Sequence, residues 1–185
     1  RTEAQRMIDA LAHYANLNVP IIGLEPSCLF TLRDEYRALN LGPEVETVAQ
    51  HALLFEEFLA REHDAGRLKL DLVPLPYKRA LLHGHCHQKA FDTMPAVERV
   101  LGLVPELKVD VVQSSCCGMA GAFGYEAKHY DVSMAMAEAA LLPAVRKAGV
   151  DALIVADGTS CRHQIADGAD RDALHVAQVL AMALP

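Results

Sequence analysis

The stretch "VDALIVADGTSC", residues 150–161, runs from an apolar segment through an acidic-glycine turn into a Ser-Cys pair. Five consecutive apolar residues, Ala152 to Ala156, bounded by turn-forming side chains, are too few for a helix and read as a buried strand. Residues 19–28, "VPIIGLEPSC", repeat the same order of apolar strand, acidic turn and Ser-Cys. Two further segments end in the same way. "ALLHGHC" reaches Cys86, and "KVDVVQSSCCG" reaches Cys116 and Cys117.

Between these strands lie amphipathic helical patterns. "RTEAQRMIDALAHYANL" predicts a helix to about residue 16, and "LFTLRDEYRAL" a second. In "EVETVAQHALLFEEFLAREHDAG" a long helix is expected, because Val45, Val48, Ala49, Ala52, Phe55 and Leu59 recur at helical spacing before Gly66. "LKLDLVPLPYKRALLHGHCHQKAF" holds one or two strands with a proline-marked turn. One helix is expected from about Glu126, with Tyr130, Met134, Ala137, Leu141 and Val145 on one face, and "LHVAQVLAMAL" closes the chain as another. Strands alternating with helices predict an α/β fold, with largely parallel sheets flanked by helices. The Ser-Cys echo points to two pseudo-repeated halves, residues 1–75 and 76–185.

All five cysteines, Cys28, Cys86, Cys116, Cys117 and Cys161, fall just past the carboxyl end of an expected strand. In a parallel sheet those ends share one edge, where ligands bind. Free cysteine is often a small core hydrophobe. Here, however, each one lies in a polar or glycine-bearing turn, outside the apolar part of any strand and off any buried helical stripe.

Helix amino ends beside Cys28, Cys86 and Cys161, with Lys89 and Arg162, would favour thiolates. Gly118, Gly121 and Gly124 give the backbone room beside a bulky inorganic centre. His83, His85 and His87 surround Cys86, and His163 follows Cys161. As turn histidines they are expected to bond backbone or water, or, for His85 and His87, to support thiolates or sulfide. Glu25, Asp157 and Arg162 are expected to cap helices in solvent. The run "FEEFLAREHD" reads as a solvated helical face, and Met134 as core.

A net charge of −7 argues against nucleic-acid binding, and no apolar run is long enough to span a membrane. Five cysteines in a chain of this size suit thiol, metal or redox chemistry in the cytoplasm, with a peripheral place at the inner face of the membrane left open. The chain opens at Arg1 directly into a helical pattern, which reads as an excised piece of a longer protein or a processed terminus.

The motifs "GLEPSCLFTLRDEY", "LLHGHCHQKA", "SSCCGMAGAFGYE" and "VADGTSCRHQI" together resemble the CCG-type cysteine-rich domain of iron–sulfur oxidoreductases. That family includes the CCG-bearing part of heterodisulfide reductase and the iron–sulfur subunit of glycolate oxidase. In arrangement the chain is similar to the C-terminal region of FAD-linked D-lactate or D-2-hydroxyacid dehydrogenases fused to an iron–sulfur part. The resemblance implies upstream FAD and ferredoxin-like domains. It also implies a cysteine-ligated cluster, most simply [4Fe–4S], in a segment that contains the end of a first cysteine-rich repeat (Cys28) and a complete second one. Cys28, Cys86, Cys117 and Cys161 are the ligand set it suggests, with Cys116 spare or adjacent, and the choice within the pair stays open. The late Cys-x-x-Cys of the family is incomplete, since Gln stands at 164 and Thr at 31.

Three functions follow in order of expectation. The first is an iron–sulfur electron-transfer module of a FAD-dependent 2-hydroxyacid oxidoreductase, not by itself a complete enzyme. The second is a structural or regulatory zinc site of cysteines and histidine. The third is a thiol-based redox catalyst. Neither the substrate nor the electron acceptor is legible in this chain.

Overall fold

Parallel strands with helices between them form the frame of the molecule. The computed structural model describes residues 1–114 and 116–185. The chain divides into two compact units, Arg1–Phe58 and Leu59–Pro185.

The first unit begins with α1 (Thr2–Asn16), whose buried stripe is Ala4, Ile8, Ala12 and Ala15. A short strand β1 (Ile21–Gly23) follows, and then α2 (Pro26–Arg33), which opens with proline in its first turn, where no intrahelical N–H is needed. The long helix expected after Pro43 is in fact interrupted. It runs as α3 (Glu44–His51), breaks into strand β2 (Ala52–Leu54), and resumes as α4 (Phe55–Asp64). The run from Phe55 is not the solvated face expected, since Glu56 is buried. Burial follows the expected periodicity at Val45, Val48, Ala49, Ala52 and Leu59, with Phe55 half-buried. The conformation does not, because β2 pairs in parallel with β1, Ile22 opposite Leu53. An unpaired β1 would leave backbone N–H and C=O groups without partners, and this pairing satisfies them.

In the second unit a three-stranded parallel sheet has the order β4-β3-β5: β3 (Arg79–Leu82) lies between β4 (Lys108–Val111) and β5 (Ala152–Val155). Among the described residues, 68–78 contribute no strand, so the segment expected to hold one or two holds one. Leu82 pairs with both Val111 and Val155, which brings the carboxyl ends of the three strands level. β5 is buried along its whole length. The sheet is flanked by α5 (Cys86–Ala90), α6 (Met94–Leu101), α7 (Tyr130–Glu138), α8 (Leu141–Lys147), α9 (Thr159–Ala169) and α10 (Val176–Met182).

The single helix expected from Glu126 is two. Pro143 explains the break: in a continuous helix its ring would strike the carbonyl of residue 139. The chain turns sharply at Ala140, φ −155° and ψ −44°. Ala137, Leu141 and Val145 are buried as expected, whereas Tyr130 is exposed. No helix among the described residues is long and apolar enough to cross a membrane.

Candidate metal centre

Level strand ends place three loops side by side at the carboxyl edge of the second sheet. The loop after β3 carries His83 to Cys86, the loop after β4 carries Cys116 and Cys117, and the loop after β5 leads to Cys161 in the first turn of α9. The four thiols meet there. Cys86 Sγ lies 3.7 Å from Cys116 Sγ, and Cys161 Sγ lies 3.3 Å from Cys117 Sγ. All are free thiols. Cys117 and Cys161 are buried in a core cluster with Val112, Met119, Leu141, Ile154 and Ile165, while Cys86 and Cys116 are partly accessible. Cys161 therefore departs from the expectation that no cysteine joins a buried helical stripe: it shares the inner face of α9 with Gln164 and Ile165. Cys28 belongs to the first unit, exposed on α2.

Crowded thiols split into acidic and basic partners. Cys161 is lowered to about 5, chiefly through its hydrogen bond with Cys117. Cys116 is driven far below the ordinary thiol range by hydrogen bonds from Cys117 and Cys86, and then by the N–H groups of Gly118 and Ala120. The Gly118 bond is 3.2 Å long. Cys117 is pushed up by the neighbouring sulfurs of Cys116 and Cys161 and then by burial; Cys86 is pushed up by Cys116 and then by burial. Sulfurs this close disfavour four separate negative charges, a repulsion that a bound cation would relieve.

Lys89 supplies the nearby positive charge. Its ammonium donates to the Ser114 carbonyl at 2.6 Å; burial lowers its pKa, and the four cysteines oppose that shift. Arg162, expected to act similarly, instead donates to the carbonyls of Ala156 and Asp157 and to Thr159 Oγ1. It braces the turn before α9.

The histidines divide by role. His85 is the N-cap of α5: its ring accepts from the His87 N–H while Gln88 Oε1 accepts from the His85 N–H at 2.9 Å. The rings of His85 and His87 stack, with centroids 5.2 Å apart. His83 differs from the expected turn histidine. Its backbone N–H donates to Val155 O, which extends the β-ladder by one residue and carries the ring inside, 1% exposed. One ring nitrogen of His83 lies within 4.8 Å of both Cys117 Sγ and Cys161 Sγ. The sequence carried a signal for this: no turn residue separates Leu82 from His83, so the strand runs straight into the histidine.

The three glycines differ in their surroundings. Gly118, at φ +93°, leaves no space for a side chain because a Cβ would strike the Ser133 carbonyl oxygen and press on Gln164. The missing side chain lets the cysteine loop pack closely on α7, while the Gly118 N–H donates to Cys116 Sγ. Gly124 is likewise crowded by Met119 and Ser133, whereas Gly121 (φ +66°) faces open space. Gly158, not singled out from sequence, borders the thiols: a Cβ there would meet His85 and stand 3.2 Å from Cys161 Sγ. Gln164 is 4% exposed, and its amide donates to both the carbonyl and the hydroxyl of Ser133. Asp157, expected in solvent, is also buried. It accepts from Gln88 Nε2 at 2.7 Å and from the Val176 N–H at 3.0 Å.

Relatives of this chain include dehydrogenases. It is 32% identical over 166 residues to one subunit of the anaerobic glycerol-3-phosphate dehydrogenase of Escherichia coli K12, covering 90% of this chain and 41% of that protein. It is 30% identical over 164 residues to the D-2-hydroxyglutarate dehydrogenase of the same organism, covering 88% of the chain and 15% of the relative. The D-2-hydroxyglutarate dehydrogenase of Pseudomonas putida is 28% identical over 184 residues, which is 96% of the chain and 16% of that protein. The chain thus spans less than half of the first relative and about a sixth of the others. No protein-family model matches the chain, and no solved structure does. Oxidoreductase relatives and a cluster of thiols agree with the redox role expected from the sequence.

Proposed function

We propose that this chain is an electron-transfer module that binds an iron–sulfur cluster at the carboxyl edge of its second sheet. It would work within a larger FAD-linked dehydrogenase that oxidises a 2-hydroxy acid or a related secondary alcohol. The observation that carries the reading is the meeting of Cys86, Cys116, Cys117 and Cys161 from three strand ends. Four thiolates are the donor set of an ordinary [4Fe–4S] cluster. The relatives add support of a different kind. Glycerol-3-phosphate and D-2-hydroxyglutarate differ in charge and shape, so a segment common to both dehydrogenases is better suited to the electrons than to substrate recognition.

When bound, the cluster would accept and pass on single electrons. The chain's residues prepare the site for it. Cys86, Cys116, Cys117 and Cys161 hold the metal, and the N–H groups of Gly118 and Ala120 point at Cys116 sulfur, where they favour the more negative state. Lys89 offsets accumulated negative charge from one side. Val112, Met119, Leu141, Ile154 and Ile165 keep water from the Cys117–Cys161 side. Electrons would come from a flavin part of the same assembly and leave to an acceptor outside it. Cys28, in the first unit, is not required by this ligand set.

Anaerobic purification followed by iron and acid-labile sulfide analysis tests the proposal. Near-equal iron and sulfide, with broad visible absorption, is the expected result; colourless protein without iron after reconstitution would overturn it. A second reading, a zinc site, draws on His83 beside Cys117 and Cys161, because zinc takes mixed sulfur and nitrogen donors. Stoichiometric zinc without sulfide in the same preparation would favour it.

A further inference from the structure

His83 is not accounted for by a site of four thiols. The ring is 1% exposed at the end of the central strand. Its Nδ1 is 3.0 Å from Ser114 Oγ, and Nε2 is buried with no hydrogen-bond partner among the described residues. A buried polar atom left in this way is a cost to the fold that calls for an explanation. One ring nitrogen of His83 lies within 4.8 Å of both Cys117 Sγ and Cys161 Sγ.

We propose that His83 is a direct nitrogen ligand of the metal centre, acting through Nε2 beside Cys117 and Cys161. This rests on the reading that the thiols bind metal: in a single-ion site His83 would join Cys117 and Cys161 directly, and in a [4Fe–4S] cluster it would take one iron in place of one of the four thiols. Three features converge on it. First, the serine hydroxyl at Nδ1 can accept the ring proton, which leaves the lone pair on Nε2. Metal-bound histidines are oriented in the same way, with the far nitrogen donating to a neighbouring oxygen. Second, the sulfur pair and the nitrogen come from three elements that follow adjacent, level strand ends: the extension of β3, the loop after β4, and the first turn of α9. Third, Gly158 lets the turn before α9 pack directly against His85 and Cys161, where a Cβ would collide with the His85 ring. Sulfur and imidazole nitrogen together suit iron or zinc and disfavour the hard cations magnesium and calcium.

Cobalt(II) provides the test, because its spectrum reports each ligand type. Reduced, metal-free protein is titrated anaerobically with Co²⁺, once at natural abundance and once with ¹⁵N-histidine, and pulsed EPR is recorded on both. The expected result is a strong histidine nitrogen coupling that changes with the isotope and is lost in His83→Gln. Cobalt affinity should fall more than tenfold in that variant and at least about tenfold in Ser114→Ala, where the ring loses its orienting partner. Because the isotope comparison uses the unmutated protein, absence of a histidine coupling overturns the proposal even if His83→Gln misfolds, and His85→Gln and His87→Gln, which should keep the coupling, assign it to His83. Cobalt bound through sulfur with no histidine coupling, or a coupling that survives in folded His83→Gln, overturns His83 as ligand and leaves the thiol site standing. Failure to bind cobalt, together with failure to take up iron and sulfide, overturns both.

Discussion

Gly118 carries two constraints at one residue. Its φ of +93° is one that side chains avoid, and the direction a Cβ would take is filled by the Ser133 carbonyl. Gly121 shares the positive φ, +66°, without the crowding. The pair separates the two effects. Gly121→Ala should cost about 1 kcal/mol from backbone strain alone, and Gly118→Ala about 3 kcal/mol, since strain and collision add. Urea midpoints of the two variants check this, and equal losses would mean that the loop does not depend on α7. The thiols allow a second prediction. Cys117→Ser and Cys161→Ser should each reduce iron and sulfide uptake severalfold or more while the far-UV circular dichroism stays unchanged. The cysteines were legible in the sequence because strand ends in a parallel sheet converge, whatever their separation along the chain. His83 was legible as a neighbour of the cysteines but not as a buried one, because burial of a histidine depends on which loops close over it, and Ser114 and Cys161 come from elsewhere in the chain.

At the scale of elements, a repeated His-x-x-Gln capping box organises the carboxyl edge of the sheet. His85 with Gln88 starts α5, and His175 with Gln178 starts α10. The two are joined through Asp157, which accepts from Gln88 Nε2 and from the first N–H of α10. Gln88 is fully buried and satisfies two partners, whereas Gln178 is exposed. Gln88→Leu should therefore cost about 3 kcal/mol, leaving a buried carboxyl oxygen and a backbone N–H without their donor and acceptor; Gln178→Leu should cost about 1 kcal/mol. Thermal melts would distinguish these, and similar losses would contradict the buried network.

The order of elements was readable from alternating patterns, and so were the buried positions within them. What escaped was conformation where two signals compete. Ala52–Leu54 keep helical spacing yet pair with β1, because tertiary pairing outweighs a local pattern. At Ala139–Ala140 the periodicity runs on, but Pro143 forbids the helix from doing so.

On the scale of the molecule, the thiol edge belongs entirely to the second unit, Leu59–Pro185, and Cys28 to the first. Cys28→Ser in the whole protein should accordingly leave iron and sulfide uptake within error of the parent, and a severalfold loss would bring Cys28 into the ligand set. The dehydrogenases similar to this chain are far longer, so substrate binding and flavin chemistry are proposed to lie in parts that this chain does not contain. What the chain is proposed to provide is a reversible store for single electrons. The direct test is an anaerobic reductive titration of the reconstituted protein, followed by its visible spectrum. The account predicts that the absorption bleaches with one electron per protein and returns fully on reoxidation. A protein that takes up no electrons reversibly, or that holds stoichiometric zinc and no sulfide, would contradict it.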